Sequence, residues 1–168
     1  RRADDRFVHR SEAVDPVRYI GNRSSGKQGH AIAQALAQAG AQVTLVTGPT
    51  TLPDPERIKV VHVTSAAEML AACEKALPVD VVVCAAAVSD WRVESAAVQK
   101  LKKRAGSSAA LALVENPDIL QRLANHPKKR PLLVVGFAAE TENLIKNAAD
   151  KRKNKGADWR TEERRVGK

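Results

Sequence analysis

From residue 42 onward, short apolar runs of strand length alternate with stretches in which apolar positions recur every three or four residues. Gln42-Val43-Thr44-Leu45-Val46-Thr47 is β-rich and stops at Gly48-Pro49, and Val60-Val61-His62-Val63 repeats the signal after a loop marked by Pro53 and Pro55. Ser65 then has the chemistry of a helix cap, ahead of Met69, Leu70, Cys73 and Leu77 at helical spacing, with Pro78 as the stop. The run 80–88 is continuously apolar after Asp80, the pattern of a central strand buried on both faces. Residues 131–137 repeat it, and Thr141 opens a helix with Glu142, Leu144, Ile145 and Ala148. Upstream, residues 30–39 read as an Ala-rich helix ended by Gly40. The alternation predicts an α/β domain: a doubly wound, mainly parallel, Rossmann-like three-layer sandwich with ligands beyond the carboxyl ends of its strands.

The two ends break the pattern. Residues 1–14 are charged, aperiodic and free of glycine, where a Rossmann-like unit should start with a strand and a Gly-rich turn. Lys155-Gly156-Ala157-Asp158 reads as the lead-in to another strand, but residues 159–168 look like read-through from an unrelated frame. The expectation is a domain over 15–158, truncated at both ends, with 1–14 and 159–168 foreign to it.

At 168 residues the chain has room for one ordinary domain, and 43% hydrophobic residues are enough for a core. Aromatic residues make up only 3%, which argues against a stacking platform for RNA or single-stranded DNA. The formal net charge is +9, most of it concentrated at Lys100 to Arg104, Lys128 to Arg130 and Lys151 to Lys155. Such clusters suit phosphate groups or a solvated surface. Cys73 and Cys84 lack CxxC or Cys/His spacing, so neither a disulfide framework nor a zinc site is supported. No apolar run approaches membrane-span length, and a cytoplasmic location is expected.

Four constellations carry candidate chemistry. In Arg18 to Gly29, Ser24, Ser25 and Gly26 precede a helix whose first N–H groups and dipole favour an anion. Gly21 to Lys27 also spells G-x-x-x-x-G-K, but Gln28 stands where a P-loop has its Mg²⁺-binding Ser or Thr. Asn22 could donate to an oxyanion or acyl carbonyl, or merely satisfy a loop. At the end of the apolar run, Cys84, Ala85 and Ala86 leave room for a nucleotide, and Asp90 could hold Mg²⁺ or, through water, a ribose or phosphate; small residues packed under a helix explain the alanines equally well. Lys100 to Arg104 could neutralise a transferring phosphoryl group or lie in solvent. Asn116-Pro117-Asp118-Ile119 could read a base edge or simply cap a helix. His9, His30, His62 and His126 have no motif context and read as surface or helix-end residues.

Taken together, residues 15–29, 86–92, 100–103, 116–120 and 136–141 closely resemble phosphopantothenoylcysteine synthetase, the ligase half of a bifunctional bacterial enzyme of coenzyme A biosynthesis. The resemblance implies a Mg²⁺-dependent ligase of the cytoplasm, dimeric in the family. It would join 4′-phosphopantothenate to cysteine at the expense of CTP through an acyl-cytidylate. It implies roles for Asn22, Lys100 and Arg18 in catalysis, and for Ser24, Ser25 and Gly26 against substrate phosphate. It places CTP against Cys84, Ala85, Ala86, Asp90, Lys100, Asn116, Pro117, Asp118, Ile119 and Phe137, with Lys151 and Lys155 toward the triphosphate and Asp90 as a metal ligand. FMN would enter only with a preceding decarboxylase domain. Two other readings stand beside it: a P-loop-like or dinucleotide-binding module, motivated by Gly21 to Lys27, and a basic nucleic-acid-binding domain, motivated by the charge.

Overall fold

The computed structural model describes residues 12–22, 24–102, 110–140 and 154–164, of which 138–140 and 160–164 are described as backbone. The helix expected from Thr141 and the residues Lys103, Arg104, Lys151 and His9 lie outside them. The order of elements is β1 (Glu12–Ala13), β2 (Tyr19–Ile20), α1 (Lys27–Gln38), β3 (Thr44–Thr47), β4 (Lys59–His62), α2 (Ala66–Ala76), β5 (Val81–Cys84), β6 (Trp91–Val93), β7 (Leu113–Glu115), α3 (Ile119–Ala124), β8 (Leu133–Glu140) and β9 (Trp159–Arg164). The class is α/β.

The longer strands run parallel and the shortest ones antiparallel. β3 pairs with β4 in parallel, and a second parallel sheet has the order β5-β8-β9. β1 with β2 and β6 with β7 form antiparallel pairs that alternation did not announce, because two- and three-residue strands are too short to display a period. The lead-in at 155–158 does run into a strand: β9, formed by residues the sequence sets apart from the domain, lies parallel to β8. Glu12, also in a segment set apart, is buried in β1, where its Oε1 accepts the N–H of Ala66 at 2.9 Å and so caps the first turn of α2.

One expectation is corrected. The run 80–88 forms a strand only over Val81–Cys84, with Val81 45% exposed and the others half-buried. It edges its sheet among the described residues, whereas β8 lies in the middle and its Val134 is fully buried. After Cys84 the chain leaves the ladder, and the carbonyls of Val88 and Ser89 accept from the side chains of Asn22 and Asn116.

The helices begin and end as their terminal residues dictate. Gly40 takes φ +92°, and the N–H groups of Gly40 and Ala41 donate to the carbonyls of Ala37 and Leu36, the Schellman arrangement that needs a left-handed residue just past a helix end. Ser65 Oγ accepts from the Glu68 N–H at 3.2 Å, and Glu68 Oε2 reaches back to the N–H and hydroxyl of Thr64. Those bonds hold the Glu68 carboxyl below its ordinary range. Asp118 caps α3 through the Gln121 N–H at 3.0 Å.

Helices α2 and α3 share one core with the strands: Val63, Met69, Leu70, Leu77, Ile119 and Leu123 are buried together, with Val46, Val61, Val82 and Cys84 against them. At the far edge, Asp158 joins β8 to its surroundings. Its Oδ1 accepts from Arg130 at 2.8 Å, and its Oδ2 accepts the Val134 N–H at 2.8 Å. The Arg130 guanidinium and the Val134 N–H hold the Asp158 carboxyl below its ordinary value of 3.8.

Two stability measurements follow. Leu123→Ala, at a side chain only 1% exposed, is expected to cost about 3 kcal/mol in urea unfolding with an unchanged slope. Because the folded pKa of Asp158 is depressed, its stabilisation is present above about pH 4 and lost as pH falls through the lower folded value; a pH series of melting temperatures should fall less steeply below that point in Asp158→Asn, which starts from a lower plateau.

Candidate functional site

The side chains singled out by sequence fall into three groups in space. The first joins residues 14–22 to the loops after β5. Asp15 is buried in the turn between β1 and β2, an Asp-Pro turn start in which its Oδ1 accepts the N–H groups of Val17 and Arg18, both at 2.9 Å. Its Oδ2 accepts from Arg18 Nε and Nη2 at 2.9 and 2.6 Å and from the Leu101 N–H at 3.1 Å. Arg18 Nη2 donates in turn to the Leu101 carbonyl at 2.7 Å, so Arg18 and the segment carrying Lys100 are held together. Burial pushes the Asp15 carboxyl up, but the Arg18 guanidinium and the three N–H groups outweigh it and leave it well below the usual carboxylate range. Lys100 itself is exposed.

Asn22 belongs to the same group: its Nδ2 donates to the Val88 carbonyl at 2.8 Å. At the next two residues, Asn116 Nδ2 donates to the Ser89 carbonyl at 2.9 Å, and the Asn116 N–H donates to the Asp90 carbonyl at 2.8 Å. Ser89, buried, steadies this corner through bonds with the backbone of Trp91. Among the described residues, Asn116 Oδ1 is a buried acceptor with no hydrogen-bond partner.

The second group stands at the carboxyl ends of β5 and β8. Cys84 is in register with Gly136, where the pairing of β5 with β8 ends, and Cys84 and Ala86 pack against the core that contains Ile119. Burial, with smaller contributions from Cys73 and Asp118, pushes the Cys84 thiol up to about 12. It is a small neutral wall here, not a nucleophile. Asp118 spends both oxygens on the protein, since Oδ1 caps α3 and Oδ2 pairs with Lys155 at 2.8 Å. Pro117 sits half-buried between Asn116 and that cap.

The third group is the entry to α1. Gly26 takes φ +73° as the cap residue, Ser25 Oγ accepts from the Lys27 N–H at 3.4 Å, and Ser24 and Gly26 line a small cleft with Thr47, Gly48, Pro49 and Thr50 at the end of β3. A Cβ on Gly26 would stand 3.3 Å from Thr50 Oγ1. The preceding strand, β2, belongs to a two-residue antiparallel pair and not to a parallel sheet, so the strand–loop–helix context of a P-loop is not formed.

Of the histidines, His62 is exposed and faces Asp54 at 3.0 Å, and His126 Nδ1 accepts the N–H groups of Lys128 and Lys129 after α3. His30, expected on the surface or at a helix end, lies in the first turn of α1 but is buried, with Nδ1 3.1 Å from the Gly26 carbonyl. Asp15 and Ser89 are the members of the first group to which the sequence assigned no role. An Asp-Pro dipeptide is a turn signal that the sequence reading passed over, and it carries no sign of Leu101, 86 residues away.

An α/β fold with amides, a guanidinium and a lysine-bearing segment gathered beyond the ends of parallel strands defines the class. The family of DNA/pantothenate metabolism flavoprotein C-terminal domains matches residues 10–162, and the chain belongs to it. It is 46% identical over 148 residues to the coenzyme A biosynthesis bifunctional protein CoaBC of Haemophilus influenzae, covering 88% of this chain and 36% of that protein. The corresponding protein of Escherichia coli is 47% identical over 150 residues, covering 88% and 37%. The chain therefore spans little more than a third of the length of these relatives. A crystal structure of the C-terminal domain of CoaBC superimposes with a TM-score of 0.78 at 38% identity, covering 92% of this chain and 72% of that one. The DNA/pantothenate metabolism flavoprotein from Streptococcus pneumoniae shares the fold, with a TM-score of 0.74 at 22% identity, covering 90% and 78%.

Gly26→Ala and Gly40→Ala separate backbone strain from crowding. Both force an L-residue to positive φ, a cost of about 1–2 kcal/mol, but nothing lies within 4 Å of a Cβ at Gly40. Urea unfolding should show the larger loss at Gly26, the excess reporting the contact with Thr50.

Proposed function

We propose that this chain is the ligase part of a coenzyme A biosynthesis enzyme, joining 4′-phosphopantothenate to cysteine with CTP. The single observation that supports it best is the convergence of Arg18, the Lys100 segment, Asn22 and Asn116 on the loops after β5 and before α3. In the proposed reaction a carboxylate oxygen attacks the α-phosphorus of CTP and pyrophosphate leaves. The cysteine amine then attacks the acyl carbon and CMP leaves, forming the amide. Lys100 would neutralise charge on the phosphorus during the first step, and Asn22 would donate to the acyl oxygen in the second. Arg18 holds the Lys100 segment. Ser24, Ser25 and Gly26 would take the substrate phosphate at the start of α1.

The nucleotide would lie along Cys84, Ala85, Ala86 and Phe137, between Asp90 and the Asn116–Ile119 turn, with its triphosphate toward Lys155 and Lys151. Asn116 Oδ1, a buried acceptor, would suit the exocyclic amino group of cytosine as its donor. Lys155 would have to exchange Asp118 for phosphate. Among the described residues no three His, Cys, Asp or Glu side chains cluster as a metal cage. Mg²⁺ takes one or two carboxylates together with substrate phosphates, and the exposed Asp90 fits that requirement; when bound it would offset phosphate charge. The proposal includes a doubly wound Rossmann-like arrangement and a cytoplasmic homodimer. The dimer is supported by exposed Val17, Tyr19, Trp91 and Leu113 on and around β1, β2, β6 and β7.

Calorimetric titration of the chain with CTP in Mg²⁺ tests the reading, with ATP as comparison. CTP is expected to bind at least tenfold more tightly than ATP, Asn116→Ala to erase that preference, and Lys100→Ala to lower pyrophosphate release about 100-fold. Equal affinity for the two nucleotides, or ATP hydrolysis without the acid substrate, overturns it.

A further inference from the structure

Asp15 has more acceptor chemistry than its turn requires. An Asx turn needs one oxygen, and Oδ1 alone provides it through Val17 and Arg18. Oδ2 faces three donors, two from the Arg18 guanidinium and one from Leu101, an arrangement that only an acceptor without protons of its own satisfies. The Asp15 side chain has no solvent exposure, while that of Arg18 is 48% exposed. The carboxylate is thus the buried anchor and the guanidinium the arm.

What the pair grips is a single peptide segment. Asp15 accepts the Leu101 N–H and Arg18 donates to the Leu101 carbonyl, so both backbone groups of one residue are held, as a neighbouring strand would hold them. The other end of the segment is tied by the Ala97 N–H to the Val14 carbonyl at 2.9 Å. Between these ties the side chains face solvent: Val98 is 92% exposed, and Gln99 and Lys100 are exposed. The place of the Lys100 backbone is therefore set from outside the segment.

Resting on the ligase reading above, we propose that Asp15 is a positioning residue for the reaction: through Arg18 and the Leu101 backbone it sets where Lys100 stands, without touching substrate. Asp15→Asn isolates this function. The amide oxygen can keep the turn, while the amide NH₂ turns donors toward the donors of Arg18 and Leu101. Asp15→Ser keeps a turn-forming oxygen with no second one and serves if the Asn variant does not fold.

In the 168-residue chain, kcat for amide formation is expected to fall at least tenfold in Asp15→Asn while KM for CTP stays within about threefold. The Leu101 amide should exchange with deuterium at least tenfold faster. The double variant with Lys100→Ala should be no more than about twofold slower than Lys100→Ala alone, because both changes act through the same ammonium. Multiplying losses in the double variant, or unchanged Leu101 exchange, overturns the positioning role while leaving the ligase reading intact. Absence of turnover in the wild-type chain overturns the ligase reading and the role that rests on it, whatever Leu101 does.

Discussion

A backbone that leaves its strands must find partners for every N–H and carbonyl it buries, and in this protein side chains supply them. Asp15 is the centre of that arrangement. Its buried carboxylate holds its own turn, the Arg18 guanidinium and the Leu101 peptide at once. Asn22 does the same for Val88 and Asn116 for Ser89. The loops are thus tied to one another rather than to a regular ladder. Their geometry depends on a few charged or amide groups, and the Asp15 carboxylate among them is withheld from water, where each bond is strong and each missing partner expensive.

The parallel strands beneath supply the platform. Helices α2 and α3 close one core over the strands, and the carboxyl ends of β5 and β8 stand side by side in register. Helix termini fit into the same scheme. Glu12 brings a negative charge to the start of α2 from β1, and Asp118 caps α3 while pairing with Lys155. A carboxylate at a helix start can thus hold two elements with one side chain, which makes Asp118 part of the fold as well as part of the proposed nucleotide site.

Electrostatics divides the site into neutral and charged walls. The Cys84 thiol is kept protonated by burial among apolar neighbours, so the floor at the strand ends is small and uncharged. The cationic groups lie on loops, with Lys100 in solvent and Arg18 drawn toward the buried Asp15. Such a division suits a ligand with a flat neutral part and a charged tail.

Elements with a sustained period were legible in the sequence. The helix after Ser65, its cap, the end of the first helix at Gly40 and the parallel-type strands near 44–47, 59–62 and 133–140 follow from local rules of spacing, capping and backbone freedom. Short strands such as β1, β2, β6 and β7 were not legible, because their pairing partners rather than their residues define them. The motifs named Arg18, Asn22, Lys100 and Asn116 as polar groups in glycine-, serine- and proline-marked loops. Their partners, Leu101, Val88 and Ser89, are backbone groups that any residue type could provide, so no side-chain pattern announces them. Burial likewise belongs to the tertiary structure: the run after Asp80 is as apolar as that after Arg130, yet β5 stands at a sheet edge and β8 in the middle. Local structure is written in the chain because it depends on near neighbours. Which oxygen meets which distant N–H is decided only when the chain closes on itself.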